Sequence, residues 1–144
     1  VCALAMDKGR LITLDRDPVM TEVAMKFWKM ANVDRIIELK LGNALDSLDE
    51  LLSSEENIGS FDMIFIDADK RNYQAYYELC LKLIANDGII LFDNVLWSGD
   101  VADPSNQEKD TVALRELNQF LFNDNRVNIS MIPVGDGITM VQKK

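Results

Sequence analysis

Two hydrophobic runs that each end in acid constrain this chain more than anything else in it. The first, Met63-Ile64-Phe65-Ile66, has β-branched and aromatic residues, no Gly and no Pro, and stops at Asp67, Asp69 and Lys70. It reads as a strand buried on both faces, as inside a parallel sheet. The second, Gly88-Ile89-Ile90-Leu91-Phe92, runs into Asp93-Asn94. Open α/β sheets bind ligands beyond the carboxyl ends of their strands. If the two strands are neighbours, Asp67, Asp93 and Asn94 converge there as oxygen ligands.

The remaining elements alternate around these strands. Leu11 to Leu14 read as a short strand closing at Asp15. Asp17-Pro18 reads as a helix start, Asp as N-cap and Pro in the first turn. Val19, Met20, Val23, Ala24, Phe27 and Ala31 give that helix an apolar face to about Asn32. Ile36 to Leu41 form the next strand, and Leu45, Leu48, Leu51 and Leu52 a second helix. A third helix spans about Asn72 to Ala85, with Gly88 available for a left-handed cap. A fourth runs from about Glu108 to Asn123. Val127–Pro133 and Ile138–Val141 are strands joined by the Gly135-Asp136-Gly137 turn, too short a link for a crossover and therefore antiparallel.

This order predicts an α/β fold, a doubly wound and mostly parallel sheet with an antiparallel hairpin at its carboxyl end, in one domain over residues 1–144. Val1–Met6 reads as the end of a helix and Asp7–Arg10 as a turn. A strand and a glycine-rich turn are expected to precede Val1, so the domain is read as incomplete at its amino end.

The chain has 144 residues and a formal net charge of −9, which argues against nucleic acid or an anionic membrane as partner. No apolar run approaches the roughly 20 residues of a membrane span. Cys2 and Cys80 stand in apolar contexts without metal-type spacing and read as reduced core residues, in keeping with a cytoplasmic protein. The histidine count is zero. That removes Ser-His-Asp and Cys-His nucleophile systems and His-ligated zinc. A metal here must be held by oxygen, which favours Mg²⁺, Ca²⁺ or Mn²⁺.

Individual residues carry two readings each. Asp15 is placed to hydrogen-bond the ribose of a nucleoside cofactor, or is a strand-end turn residue. Gly42-Asn43-Ala44 lets the backbone approach a flat ring, or is an ordinary turn with Asn43 as N-cap. Asp67, Asp93 and Asn94 form a metal site, because clustered carboxylates repel one another unless a cation is present; otherwise each caps its following segment. Lys70 is a general base, or the counter-ion of Asp67 or Asp69, the commoner role. Tyr76 and Trp97 are candidates for lining a pocket, whereas Tyr73 and Tyr77 read as core aromatics.

Phe61-Asp62-Met63-Ile64-Phe65-Ile66-Asp67-Ala68-Asp69-Lys70, followed by Asn72-Tyr73 and Tyr76-Tyr77, resembles the signature of the cation-dependent O-methyltransferases. Gly88 to Gly99 and Val134-Gly135-Asp136-Gly137 match the same family. The likeness is to the caffeoyl-CoA type, with catechol O-methyltransferase a more distant relative, and it runs from about Leu4 to Lys143. The resemblance implies S-adenosylmethionine as cofactor, a divalent cation, a homodimer and a catechol-like small-molecule acceptor. By resemblance, Asp15 would hold the cofactor ribose and Ala44 would lie at the adenine. Asp67, Asp69 and Tyr76 would help bind the cofactor. Asp67, Asp93 and Asn94 match the metal ligands, Lys70 the base and Trp97 a substrate-side aromatic. Two rival readings are a nicotinamide-dependent dehydrogenase and a non-catalytic nucleoside-binding or dimerisation module.

Overall fold

The computed structural model describes residues 9–144. The helix end expected at Val1–Met6, the first half of the Asp7–Arg10 turn, and Cys2 lie outside the described residues. Two compact units divide the chain, one to Glu50 and one from Leu51.

In the first unit, β1 (Leu11–Asp15) lies parallel to β2 (Ile37–Leu41), in register from Leu11 opposite Ile37 to Asp15 opposite Leu41. The crossover between them is α1 (Pro18–Met30), which starts where its residues say it should. The Asp17 carboxylate accepts from the amides of Val19, at 2.9 Å, and Met20, at 3.1 Å, and Pro18 follows in the first turn. Among the described residues nothing covers much of the apolar face of α1: Val19, Met20, Phe27 and Met30 are all exposed. α2 (Ala44–Leu52) begins at the Asn43 cap, whose side chain accepts from the Leu45 amide at 2.9 Å.

The second unit holds a four-stranded sheet in the order β3 (Phe61–Ile66), β4 (Ile84–Asp93), β6 (Ile138–Lys143), β5 (Val127–Ile132). β3 and β4 are parallel, joined by α3 (Tyr73–Leu83). The β5–β6 pair is antiparallel, as the short link requires, and β6 is also antiparallel to β4. α4 (Lys109–Asn123) leads from β4 to β5. Tyr73, Tyr77, Phe92, Ile90, Leu114, Leu117 and Leu121 fill the core between sheet and helices. The Tyr77 ring meets Phe120 edge to face at 5.8 Å, an arrangement aromatic quadrupoles favour.

Two expectations need correcting. Among the described residues β3 pairs with β4 alone, and Met63 and Phe65 are 65% and 54% exposed while Ile66 is buried, so burial on both faces is not met there. An unbroken apolar run marks a strand that can be buried; which of its faces are covered depends on the elements packed against it. Nor does Gly88 cap a helix. α3 ends at Leu83, the strand begins at Ile84, and Gly88 is absent from the positive-φ positions. Glycine is required there by close approach, since a Cβ would lie 2.8 Å from the Phe61 carbonyl oxygen at the irregular step in the β3–β4 pairing.

A charged cluster ties α3 to the start of β5. Arg126 grips Glu78 through both terminal nitrogens, at 3.0 and 2.6 Å, and also binds Asp124. Tyr77 donates to the same Asp124 carboxylate at 2.8 Å. The Arg126 guanidinium beside Asp124 holds its carboxyl well below the usual carboxylate range. A depressed carboxyl stabilises the fold above its unfolded value of about 3.9 and loses that contribution as pH falls through the native value. Arg126→Met should therefore cost about 1 kcal/mol near neutral pH. The deficit should shrink as Asp124 protonates, read from denaturant melts between neutral pH and strong acid.

Candidate functional site

Parallel pairing fixes the geometry of the acid-ended strands. Ile66 lies opposite Phe92, so the next residues, Asp67 and Asp93, leave the same edge of the sheet side by side. Immediately after β3 the chain makes a tight 3-10 turn, Lys70–Asn72, which folds Lys70 back under that edge. Its side chain is only 8% exposed, and its Nζ donates to Asp67 Oδ1 at 3.2 Å, Asn94 Oδ1 at 2.8 Å and the Tyr73 hydroxyl at 2.5 Å. All three ammonium protons have acceptors. The Trp97 ring centroid is 5.7 Å from the same nitrogen and the Tyr73 centroid 4.7 Å. Asp67, Lys70, Asn94 and Trp97 are thus brought to one point, and Asp93 is held beside them, its Oδ1 accepting from the Asn94 amide at 2.7 Å.

Asp69 is oriented by two donors. Tyr76, buried in α3, gives its hydroxyl to Oδ1 at 2.7 Å, and the Asn72 amide reaches Oδ2 at 2.5 Å. Asp15 and Ala44 belong to the first unit, where the Gly42 amide donates to the Asp15 carbonyl at 2.8 Å and so joins the ends of β1 and β2. Asp15 itself is exposed, its Oδ1 accepting from the Asp17 amide at 2.9 Å.

The loop after β4 is bent sharply. Asn94, Trp97 and Ser98 have φ of 62°, 47° and 55°, a region that favours glycine. Such strain persists only where the surroundings over-determine it. Here the 135–137 turn supplies the clamp. Val95 donates to the Gly137 carbonyl at 3.1 Å, Leu96 to the Asp136 carbonyl at 2.9 Å, and Ser98 to Asp136 Oδ1 at 2.5 Å. From α4, Asn118 donates to the Val95 carbonyl at 2.8 Å, and Arg115 holds the carbonyls of Val101, Asp103 and Asn106. The roles of Tyr73, Asn118 and Asp136 are not among the site residues read from sequence. Lys70 and Tyr73 are three apart, a spacing that puts side chains on one face, but the aromatic stripe of α3 made Tyr73 look like packing alone.

Among the described residues no three acidic or cysteine side chains form a cation cage. A cation at the β3–β4 edge would need the Asn94 carboxamide as third donor beside Asp67 and Asp93. That donor set suits a hard cation, and a positive nitrogen already bonds two of the three residues. Residues 1–144 match the family model for O-methyltransferase. The chain belongs to the O-methyltransferase family. It is 50% identical to a probable caffeoyl-CoA O-methyltransferase 1 of Dictyostelium discoideum, over 98% of this chain and 62% of that protein. To the catechol O-methyltransferase domain-containing protein 1 of Mus musculus it is 40% identical, over 98% and 54%. Among solved structures, an O-methyltransferase from Bacillus cereus in complex with SAH superposes with a TM-score of 0.85 at 32% identity, covering 94% of this chain and 63% of that one. The chain therefore spans about three fifths of the family members it matches, and within that span its fold is the family's Rossmann-like α/β arrangement.

The clamp gives a direct test of the loop's dependence on Gly137. A Cβ there would stand 2.5 Å from Leu96 Cγ, at a φ of +81°. Gly137→Ala should destabilise the protein by about 1–3 kcal/mol. Gly135→Ala, with no atom within 4 Å of its Cβ and only the +57° φ to oppose it, should cost less. Thermal melts of the two variants decide the order.

Proposed function

We propose that the protein transfers a methyl group from S-adenosylmethionine to one hydroxyl of a catechol-like acceptor, with a divalent cation held by Asp67, Asp93 and Asn94. The observation that carries this reading is the Lys70 nitrogen, placed between Asp67 and Asn94 and facing Trp97 at the ends of two parallel strands. The names of the relatives support it: caffeoyl-CoA and catechol are both vicinal-dihydroxy chemistry, and SAH is what S-adenosylmethionine becomes after losing its methyl.

When bound, the cation supplies a positive charge that gathers two adjacent hydroxyl oxygens and favours the ionised form of one. The chain's own residues do the rest. Trp97 offers a face on which an aromatic acceptor stacks. Lys70, after giving one ammonium proton to solvent, takes the hydroxyl proton at Nζ. The acceptor oxygen then forms its bond to the methyl carbon as the carbon–sulfur bond breaks. That electron pair stays on sulfur, and the cofactor leaves as a neutral thioether. Asp15 would bind the ribose hydroxyls and Ala44 would lie against the adenine. Asp69, fixed by Tyr76 and Asn72, would face the methionine part, with Asp67 nearby in sequence. Nothing in this scheme needs a covalent enzyme intermediate, in keeping with a chain that has no histidine.

The test is methyl transfer from labelled S-adenosylmethionine to a panel of catechols and their monophenols by the purified protein, before and after exhaustive chelation and Mg²⁺ replacement. Catechols should react, and each monophenol should show a kcat/KM lower by about 100-fold or more, since one oxygen cannot fix the geometry. Chelation should abolish activity and Mg²⁺ restore it. Asp93→Ala should lose about 100-fold or more while keeping cofactor affinity, because Asp15 ends β1 and Ala44 begins α2, away from β4. Equal rates on catechol and monophenol, or full activity in the chelated protein, would overturn the reading.

A further inference from the structure

We propose that Tyr73 is a positioning residue for Lys70: its buried hydroxyl is the anchor that keeps the Lys70 nitrogen in place when Asp67 and Asn94 turn to the cation. The inference rests on the function proposed above. Its starting point is that Lys70 has three hydrogen-bond acceptors and that they are not equivalent. Asp67 and Asn94 are two of the three proposed cation ligands. An oxygen that gives its lone pair to a divalent cation is a poorer partner for an ammonium, and the two positive charges repel each other. The remaining acceptor, at 2.5 Å, is the Tyr73 hydroxyl, which is no ligand at all.

Tyr73 is built to stay where it is. Its side chain is 0% exposed, and its ring packs against Phe92 with centroids 5.8 Å apart. Its oxygen lies 3.3 Å from the Ile66 carbonyl and 3.2 Å from the Asp93 carbonyl, the last strand residues of β3 and β4. The hydroxyl has one proton to give and lone pairs to receive. Donating that proton to a strand-end carbonyl leaves the oxygen turned to accept from Lys70. The phenol thus measures the position of Nζ from the backbone of both strands, independently of Asp67 and Asn94. Packing alone explains none of this, because phenylalanine would fill the same space.

Tyr73→Phe, Lys70→Met and the double variant, made in the purified protein, separate positioning from structure. Calorimetric titration with Mn²⁺ alone, and kcat and KM for a catechol, are measured for each, with a melting curve to establish folding. In Tyr73→Phe, kcat should fall about tenfold or more with little change in the S-adenosylmethionine KM. Mn²⁺ affinity should fall several-fold, because Lys70 is left with only Asp67 and Asn94 and competes for them. In the Lys70→Met background the same substitution should change neither quantity, since its effect passes through Lys70. Equal losses in both backgrounds, or wild-type kcat and Mn²⁺ affinity in Tyr73→Phe, would overturn the assignment while leaving the proposed function standing. Failure of the wild-type protein to bind Mn²⁺ and to transfer methyl would overturn both.

Discussion

The carboxyl edge of β3 and β4 depends on where one buried ammonium places its three protons. A charge taken out of water must be compensated by close partners, or it destabilises the fold by several kcal/mol. Lys70 finds compensation from both strands and from the first turn of α3: Asp67 after β3, Asn94 after β4, and Tyr73. Each partner is delivered by a different piece of backbone. The ion pair with Asp67 is local, the bond to Asn94 spans the strand pair, and Tyr73 links the nitrogen to the strand-end carbonyls. The 3-10 turn at Lys70–Asn72 is what allows a residue only three positions beyond Asp67 to reach all of them.

The loop after β4 is bent around the same point. Asn94 presents its carboxamide oxygen to Lys70 from a left-handed backbone, which asparagine tolerates better than most residues. Trp97 and Ser98 have no such excuse, and their segment is held from outside by the backbone of the β5–β6 turn, by the Asp136 carboxylate and by Asn118. The antiparallel hairpin at the carboxyl end therefore has a job beyond completing the sheet. β6 lies next to β4, and its leading turn reaches back to the site loop. Gly137 is the point at which the two segments approach too closely for any side chain.

Much of this was legible in the amino-acid order. The strand–helix alternation, the Asp17-Pro18 helix start and the antiparallel hairpin follow from local chemistry, because caps, proline and loop length act over a few residues. The pairing of Asp67 with Asp93 was legible because two similar runs ended in acid, and parallel strands in register bring such ends together. What sequence did not give is non-local. It showed no sign that Gly88 would answer to the Phe61 carbonyl rather than to a helix end, or that Asp136 would hold a loop 38 residues earlier in the chain. Lys70 left two readings open, base or counter-ion, and the structure shows why sequence left both standing: its nitrogen bonds Asp67 as a counter-ion would, yet lies against Trp97 where an acceptor would stack. Tyr73 hid in an aromatic stripe that also carries Tyr77, a core residue.

In the proposed function the strand-end oxygens of Asp67, Asp93 and Asn94 form one cation site with Lys70 at its border. Crystals of the purified protein grown with Mn²⁺ test it most directly, because the anomalous signal of manganese locates the ion without reference to any assumed ligand. One strong anomalous peak is expected about 2.0–2.6 Å from an oxygen of each of the three side chains, with the Lys70 nitrogen withdrawn from Asp67 and Asn94. A peak elsewhere, or none at this edge while the ion is present in the solution, would contradict it.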